Sequence, residues 1–356
     1  ACDSKCIRSL SQDTGSGEFL FVSLHGAPQK VNSPEPLISV IVAAYNCRDT
    51  ISKCLESLSR LDHPGYEVIV VDDGSTDGTS ELCETFSGVE VIRLDRGGPS
   101  RARNTGVRKA RGKFVAFTDS DCSVDSQWLK ELEKGFIGPD VAGVGGDQVS
   151  PADESEMGKR IQEFLKISGF VTRYIQTGAA FGETTHNASC NSAYRKIVFE
   201  EIGGFDEEQF PGEDLELDLK ISRKGYRLIY NPAALVGHYR PGTYLKFCRM
   251  MRRYGAGEWH LVKKYGFFRP PDFEPVVAAA GLVSLFALLV VYPFTWFLFL
   301  LPWPVLSLWF FLKTGSLGRT IQFILFFLIV LTNWNWGFFT GPWRRPVKRA
   351  TCGGHG

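Results

Sequence analysis

The feature that most constrains this chain is a short apolar, β-branched run that recurs four times, with an amphipathic helical pattern between successive copies. The runs are Leu37–Ala44 (LISVIVAA), Glu67–Val71, Val89–Leu94 and Phe114–Thr118, and the helical patterns fall at Thr50–Leu61, Thr79–Phe86 and Ser100–Ala110. Strands that are apolar at nearly every residue, rather than at alternate ones, suit a parallel sheet covered by helices on both faces. The alternation therefore predicts an α/β fold with a doubly wound, mainly parallel, Rossmann-like sheet. Ligands of such sheets bind beyond the carboxyl ends of the strands. Here those ends are polar and acid-rich: Tyr45-Asn46 after the first strand, Asp72 to Thr79 (DDGSTDGT) after the second, and Asp119-Ser120-Asp121 after the fourth. Past Gly135, Val141–Gly146 reads as a further strand, and Gly158–Phe170, Lys196–Gly203 and Gly212–Lys224 read as helices. Thr177–Asn191 is a polar loop suited to binding.

From Val276 the composition changes to membrane type, a change that the ordinary mean hydropathy of −0.06 averages away. Val276–Leu301 and Thr320–Thr340 carry no charge and are long enough for a bilayer core of about 30 Å. Basic residues precede the first span (Arg252, Arg253, Lys263, Lys264, Arg269) and follow the last (Arg344, Arg345, Lys348, Arg349). Positive flanks prefer the cytosol, so an even number of crossings, a transmembrane helical hairpin, is expected. Residues 241–275 mix aromatic and basic side chains and read as an amphipathic membrane-interface segment. The expected organisation is a leader at 1–36 and the α/β domain at 37–240. The interface segment follows, then transmembrane helices at 276–341 (two, or three if 276–312 holds two short passes) and a basic cytosolic tail at 342–356. Residues 1–17 are polar and Phe19–Leu24 is too short for a signal segment, so the domain is expected in the cytosol. With its site built on upstream strands, it is expected to fold without residues 270–356.

Composition excludes some partners. A net charge of +1, from 40 basic and 39 acidic residues, gives no basis for nucleic acid as a partner. Nine scattered cysteines without a Cys-x-x-Cys pair argue against a disulfide scaffold or zinc ribbon.

Asp119 and Asp121 stand on alternate residues, close enough for one divalent cation to engage both, although a solvated turn explains such a pair equally well in isolation. Asp77 or Thr79 is expected to cap the helix that follows. Asp72 and Asp73 end a buried strand as neighbours, which costs repulsion and desolvation unless hydrogen bonds compensate. A ligand's nucleobase and ribose are the expected donors.

Taken together, Tyr45-Asn46, Asp72 to Thr79, Gly97 to Gly106 (GGPSRARNTG), Thr118-Asp119-Ser120-Asp121, Gly203 to Glu207 (GGFDE) and Gly212-Glu213-Asp214 resemble, in order and spacing, the family 2 inverting glycosyltransferases with the A-type nucleotide-sugar fold. The resemblance covers about residues 37–240. It implies that Tyr45, Asp73 and Arg101 contact the nucleoside of a nucleotide-diphosphate sugar, with Asn46 and Asp72 beside them and Arg103 and Asn104 facing the same pocket. It also implies that Asp119 and Asp121 hold ribose and a Mn²⁺ or Mg²⁺ ion, that His238 completes the metal site, and that Asn191 faces the donor sugar.

The same resemblance makes Asp214 the base that takes the acceptor proton, with Glu213 its competitor or an acceptor-orienting group, and makes Phe205, Asp206 and Glu207 acceptor-pocket residues. Asp218, one turn beyond Asp214 on the same face, reads as a residue in solvent contact or paired near Lys220–Lys224. Arg249-Met250-Met251-Arg252-Arg253-Tyr254 stands where processive polysaccharide synthases of the family carry Gln-x-x-Arg-Trp, which disfavours a long-chain polymerase. The expected activity is transfer of a sugar to a lipid-linked, membrane-proximal glycan at the cytosolic face. The alternatives are a polyprenyl-phosphate sugar synthase and a catalytically silent nucleotide-sugar-binding scaffold.

Overall fold

A computed structural model of the chain describes residues 37–168, 180–292 and 300–343. The expected leader, the start of the polar loop at Thr177, the last part of the first apolar stretch and the basic tail from Arg344 lie outside the described residues. In chain order the elements of the α/β domain are β1 (Ile38–Ala44), α1 (Arg48–Ser59), β2 (Tyr66–Asp72), α2 (Thr79–Glu84), β3 (Val89–Arg93), α3 (Pro99–Lys109), β4 (Phe114–Asp119), β5 (Cys122–Val124), α4 (Trp128–Lys134), β6 (Val141–Val149), α5 (Glu156–Ser168), β7 (Gly182–Thr184), β8 (Ser192–Arg195), α6 (Lys196–Glu201), α7 (Glu213–Arg223) and β9 (Arg227–His238).

The strands form one nine-stranded sheet in the order β3-β2-β1-β4-β8-β6-β9-β5, with β7 also pairing β9. The half from β3 to β4 is parallel, β8 runs antiparallel between β4 and β6, and β6 pairs β9 in parallel. The reason for all-apolar strands is visible in the side-chain alternation. Val40, Val42, Val68 and Val70 pack with Ile51, Leu55 and Leu58 of α1 on one face. Ile41, Ile69, Val71 and Phe117 pack with Ala102 and Val107 of α3 on the other. Both residue parities are buried, so both are mainly apolar, and a polar exception such as Ser39 is hydrogen-bonded, here to Glu67 at 2.6 Å.

Register then fixes where the polar ends meet. Ala44 of β1 lies opposite Asp72, and Ala43 opposite Asp119, so the carboxyl ends of β1, β2 and β4 align at one edge. The short β5, which the sequence does not reveal, pairs antiparallel with β9 and sets Cys122 opposite His238. Between Gly146 and Asp147 of β6 the partner on β9 jumps from Asn231 to Leu235. That irregularity carries the end of β9, and with it His238, to the same edge.

Among the described residues four further α-helices follow: α8 (Tyr244–Tyr265), α9 (Glu274–Val291), α10 (Pro302–Thr314) and α11 (Leu317–Thr340). Among the described residues two helical stretches are long and apolar enough to cross a membrane, α9 and Leu317–Trp343, but only 6% of the first is buried inside the protein against 44% of the second. At about 1.5 Å per residue the 18 residues of α9 make roughly 27 Å, whereas the 13 of α10 make roughly 20 Å and fall short of a bilayer core. The stretch Thr320–Thr340, expected as the second span, also packs against the rest of the protein. Its Phe323, Phe326 and Val330 form a buried cluster with Phe164 of α5 and Phe247 and Met251 of α8. Much of the apolar face of α8, expected to enter the acyl boundary, is thus spent on protein. The same cluster joins the two sides of residue 270, so removal of 270–356 uncovers Phe164 and Phe247 rather than leaving a finished domain.

The two helices touch backbone to backbone at Gly255 and Gly337: a Cβ on Gly255 would stand 2.0 Å from the Trp334 carbonyl oxygen, and one on Gly337 2.2 Å from that of Arg252. Gly255→Val and Gly337→Val are each expected to cost about 1–3 kcal/mol or more by forcing α8 and α11 apart, read as a lowered melting temperature in detergent. Unchanged melting in both variants would place the helix contact elsewhere.

Candidate active site

Beyond the aligned strand ends lies a cavity of about 820 Å³, whose walls include Asp119, Asp121, His186, Glu213, Asp214 and His238. The end of β4 delivers Asp119 and the turn into β5 delivers Asp121. Ligand atoms of Asp119, Asp121, Cys122 and His238 all lie within 4.8 Å of one another. His238 Nε2 stands 3.8 Å from Asp121 Oδ1, too far for a hydrogen bond. Bonds of about 2.1 Å to a six-coordinate ion put neighbouring ligand atoms roughly 3–4 Å apart, so the pair fits a divalent cation. Gln148 Oε1 is 3.0 Å from His238 Nδ1, which assigns the ring proton to Nδ1 and leaves the Nε2 lone pair toward Asp121. Arg240 Nη2 donates to the same Gln148 oxygen at 2.9 Å and holds the amide in that orientation.

Arg103 ties the two sides of the cavity together. Its buried guanidinium donates to Asp119 Oδ1 and to Glu213 Oε1, each at 2.7 Å. Burial, aided by the adjacent Asp214 carboxylate, pushes the Glu213 carboxyl up to about 7 against the pull of Arg103. Among the described residues Asp214 has no cationic partner: it is half-buried, accepts the Ser189 N–H at 3.1 Å on one oxygen and the Leu215 N–H at 2.9 Å on the other, and borders the cavity. Glu213, Asp214 and Glu216 crowd the first turn of α7, where the helix dipole favours negative charge.

Asp218 is not solvent-facing. It is fully buried and receives His186 Nδ1 (2.9 Å), the Asn187 N–H (2.7 Å) and the Tyr194 hydroxyl (2.9 Å). Lying one turn from Asp214 on the same helix face, it clamps the loop at 186–189 onto α7 and so brings Ser189 to Asp214.

Several expected donor contacts are engaged by the chain itself. Asp73 accepts from the Gly97 and Gly98 N–H groups at 2.7 and 2.8 Å, and Asp72 accepts from the Ser75 N–H at 3.0 Å. Backbone donors, not a ligand, therefore make the adjacent carboxylates tolerable; burial still raises Asp73, offset in part by those two N–H groups and by Arg101. Asp77 accepts from the Thr79 N–H at 3.0 Å at the start of α2, as expected of a capping carboxylate. Asn46 holds a left-handed backbone (φ 45°), and its side chain accepts from the Thr76 N–H at 2.9 Å, fixing the loop after β2.

Asn191 does not face the cavity. It is buried, takes the Trp128 indole N–H at 2.7 Å and donates to the Asp147 and Ala234 carbonyls. Asn104 likewise clips the Phe205 backbone through its own N–H and carbonyl partners. Phe205 packs against Phe117 and Phe199 in the core, and Asp206 pairs with Lys264 at 2.7 Å. Phe205, Asp206 and Glu207 border a second, smaller hollow rather than the main cavity.

Residues 39–203 match the family model described as glycosyl transferase family 2. The chain is a family 2 glycosyltransferase. It is 30% identical over 208 residues to glycosyltransferase AglE of Haloferax volcanii, a match spanning 56% of this chain and 66% of AglE. It is 26% identical over 246 residues to the dolichyl N-acetyl-alpha-D-glucosaminyl phosphate 3-beta-D-2,3-diacetamido-2,3-dideoxy-beta-D-glucuronosyltransferase of Methanococcus voltae, covering 65% of this chain and 75% of that relative. The chain thus spans about two thirds to three quarters of the length of these two. Among solved structures, mannosyltransferase PcManGT from Pyrobaculum calidifontis, in complex with GDP-Man and Mn²⁺, superposes over 87% of this chain and 85% of its own at 22% identity and a TM-score of 0.51. That likeness establishes the A-type fold.

In this glycosyltransferase the sequence left several residues around the strand ends and the cavity unread. Arg96 stacks on the exposed Tyr45 ring, its guanidinium carbon 3.3 Å from the ring centre, and makes with it a flat platform at the β1 edge. Gln148 and Arg240, which orient His238, lie on β6 and just after β9, far apart in the chain. Only the β6–β9 pairing brings them together, and no local pattern announces it.

Proposed function

We propose that this family 2 glycosyltransferase transfers a sugar, with inversion, from a nucleotide-diphosphate donor to a lipid-linked glycan at the cytosolic face of a membrane. The observation that carries the reading is one cavity bordered both by the Asp119–Asp121–His238 group and by Asp214. Mn²⁺ or Mg²⁺ held by Asp119, Asp121 and His238 would supply Lewis-acid neutralisation of the departing diphosphate. Tyr45, stacked by Arg96, takes the nucleobase face, and Asp73 and Arg101 border the nucleoside with the Asn46 and Asp72 loop around them. Asp214, which borders the cavity and has no cationic partner among the described residues, accepts the proton of the attacking hydroxyl. Glu213 keeps Arg103 in place between Asp119 and α7. A lipid-linked acceptor is supported by the name of the Methanococcus relative, which specifies a dolichyl-linked sugar phosphate, and by the exposed apolar surfaces of α9 and α11.

A manganese titration of transfer activity tests this. Activity should vanish on treatment with EDTA and return with Mn²⁺. Gln148→Leu, which frees His238 to turn or change tautomer, should raise the Mn²⁺ requirement by about 10- to 100-fold. Transfer that survives EDTA, or a Gln148→Leu titration like that of the wild type, would remove His238 and the metal from the site.

A further inference from the structure

The cavity has a second wall, made by α8, whose charge is opposite to that of the first. Lys246, Arg249, Arg253, Tyr254 and Leu261 all border it, a spacing of i, i+3, i+7, i+8 and i+15 that lies along one helix face. The first two turns of that face are cationic. Further along, Leu261 and Trp334 of α11 make it apolar around Glu258, whose carboxylate is taken by Arg269 at 2.8 Å. Among the described residues, Lys246, Arg249 and Arg253 have no ion-pair or side-chain hydrogen-bond partner, although other basic groups of this region do: Arg252 donates to Asn333 at 2.6 Å and Lys264 pairs with Asp206 and Glu216. Three like charges on successive turns repel one another, and an anion in the cavity relieves that repulsion.

We propose that Lys246, Arg249 and Arg253 form the subsite for the phosphate of a lipid-linked acceptor, a proposal that rests on the acceptor class given above. Charge complementarity requires an anion, and the surface next to the cations identifies which one. Tyr244 and Leu245, immediately before Lys246, are exposed, and Tyr244 packs on Phe326 of α11 with ring centres 5.8 Å apart. The same turns of α11 expose Ile321 and Leu325. A phosphate bound at the three cations therefore has apolar surface beside it for a polyprenyl chain. The donor diphosphate, by contrast, has the metal carboxylates on the facing wall.

The test uses the full chain and phosphatidylcholine vesicles doped either with dolichyl phosphate or with phosphatidylserine at equal charge. Wild-type protein should bind the dolichyl phosphate vesicles more tightly. The double variant Arg249→Gln, Arg253→Gln should lose about 10- to 100-fold of that affinity, and Arg249→Lys, Arg253→Lys should recover part of it. Nucleoside diphosphate binding in Mn²⁺ should be unaffected by either change. Equal loss of nucleotide affinity would assign the cations to the donor, and equal loss on phosphatidylserine would reduce them to general membrane attraction; either overturns the subsite. Wild-type preference for dolichyl phosphate with an unaffected double variant overturns the subsite alone. No wild-type preference at all overturns the lipid-phosphate reading beneath it.

Discussion

Replacing Asp214 by asparagine is expected to lower turnover by about 10²- to 10⁴-fold while leaving donor and metal affinity close to wild type. The substitution keeps the size of the side chain, and its remaining oxygen can still accept the Ser189 N–H bond, so the loop at 186–189 stays on α7, while the bond that the second oxygen takes from the Leu215 N–H is given up. What is lost is the ability to take a proton from the attacking hydroxyl. Glu213→Gln tests a different role, because that carboxylate is spent on Arg103. Its cost should be smaller and should be accompanied by weaker donor binding, since Arg103 also holds Asp119. Steady-state kinetics with calorimetry of donor binding separates the two. Normal transfer by Asp214→Asn with loss in Glu213→Gln would exchange their roles. If neither substitution matters, the nucleophile is already ionised, and a polyprenyl-phosphate sugar synthase becomes the better reading.

Asp121→Ala should abolish transfer together with the metal-dependent part of donor affinity. Of the two carboxylates Asp119 already pairs with Arg103 at 2.7 Å, whereas Asp121 faces the His238 ring across a 3.8 Å gap. Without it a divalent ion keeps one shared carboxylate and one imidazole, too few fixed ligands for an ion that favours oxygen. Titration calorimetry of a nucleoside diphosphate with and without Mn²⁺ reads the effect directly. Donor affinity should respond to Mn²⁺ in the wild type and not in the variant. An equal response in both would move the metal away from Asp121.

The parts of the fold that were legible in the sequence are those whose physics is local. β1 to β4 announce themselves because each parity of residue faces a different core, and the polar strand ends are conspicuous against those runs. The pairings that complete the site are not local. β5 has three residues and no pattern, yet it sets Cys122 opposite His238 and closes the metal group. Asp218 and Asn191 are polar residues among polar neighbours, and only the tertiary structure reveals that both are buried clamps. Asp73 was expected to need a ligand's hydrogen bonds, but two glycine N–H groups from a loop 24 and 25 residues away supply them. α11 carries no charge from Thr320 to Thr340, and its composition does not distinguish contact with lipid from contact with α8; the glycines at 255 and 337 mark the contact once both helices are seen together.

The central claim is that one cavity joins a metal-bound nucleotide-sugar to an acceptor in the membrane. The most direct measurement incubates the full chain in detergent micelles with a panel of nucleotide-sugars, Mn²⁺ and a membrane lipid extract. It follows nucleoside diphosphate release alongside labelled sugar in the organic-soluble fraction. Expected is release with one donor of the panel, matched by label in the lipid fraction and absent in Asp121→Ala. Donor bound intact with no transfer from any sugar, in the presence of Mn²⁺ and lipid, would contradict the claim and identify a silent nucleotide-sugar-binding scaffold instead.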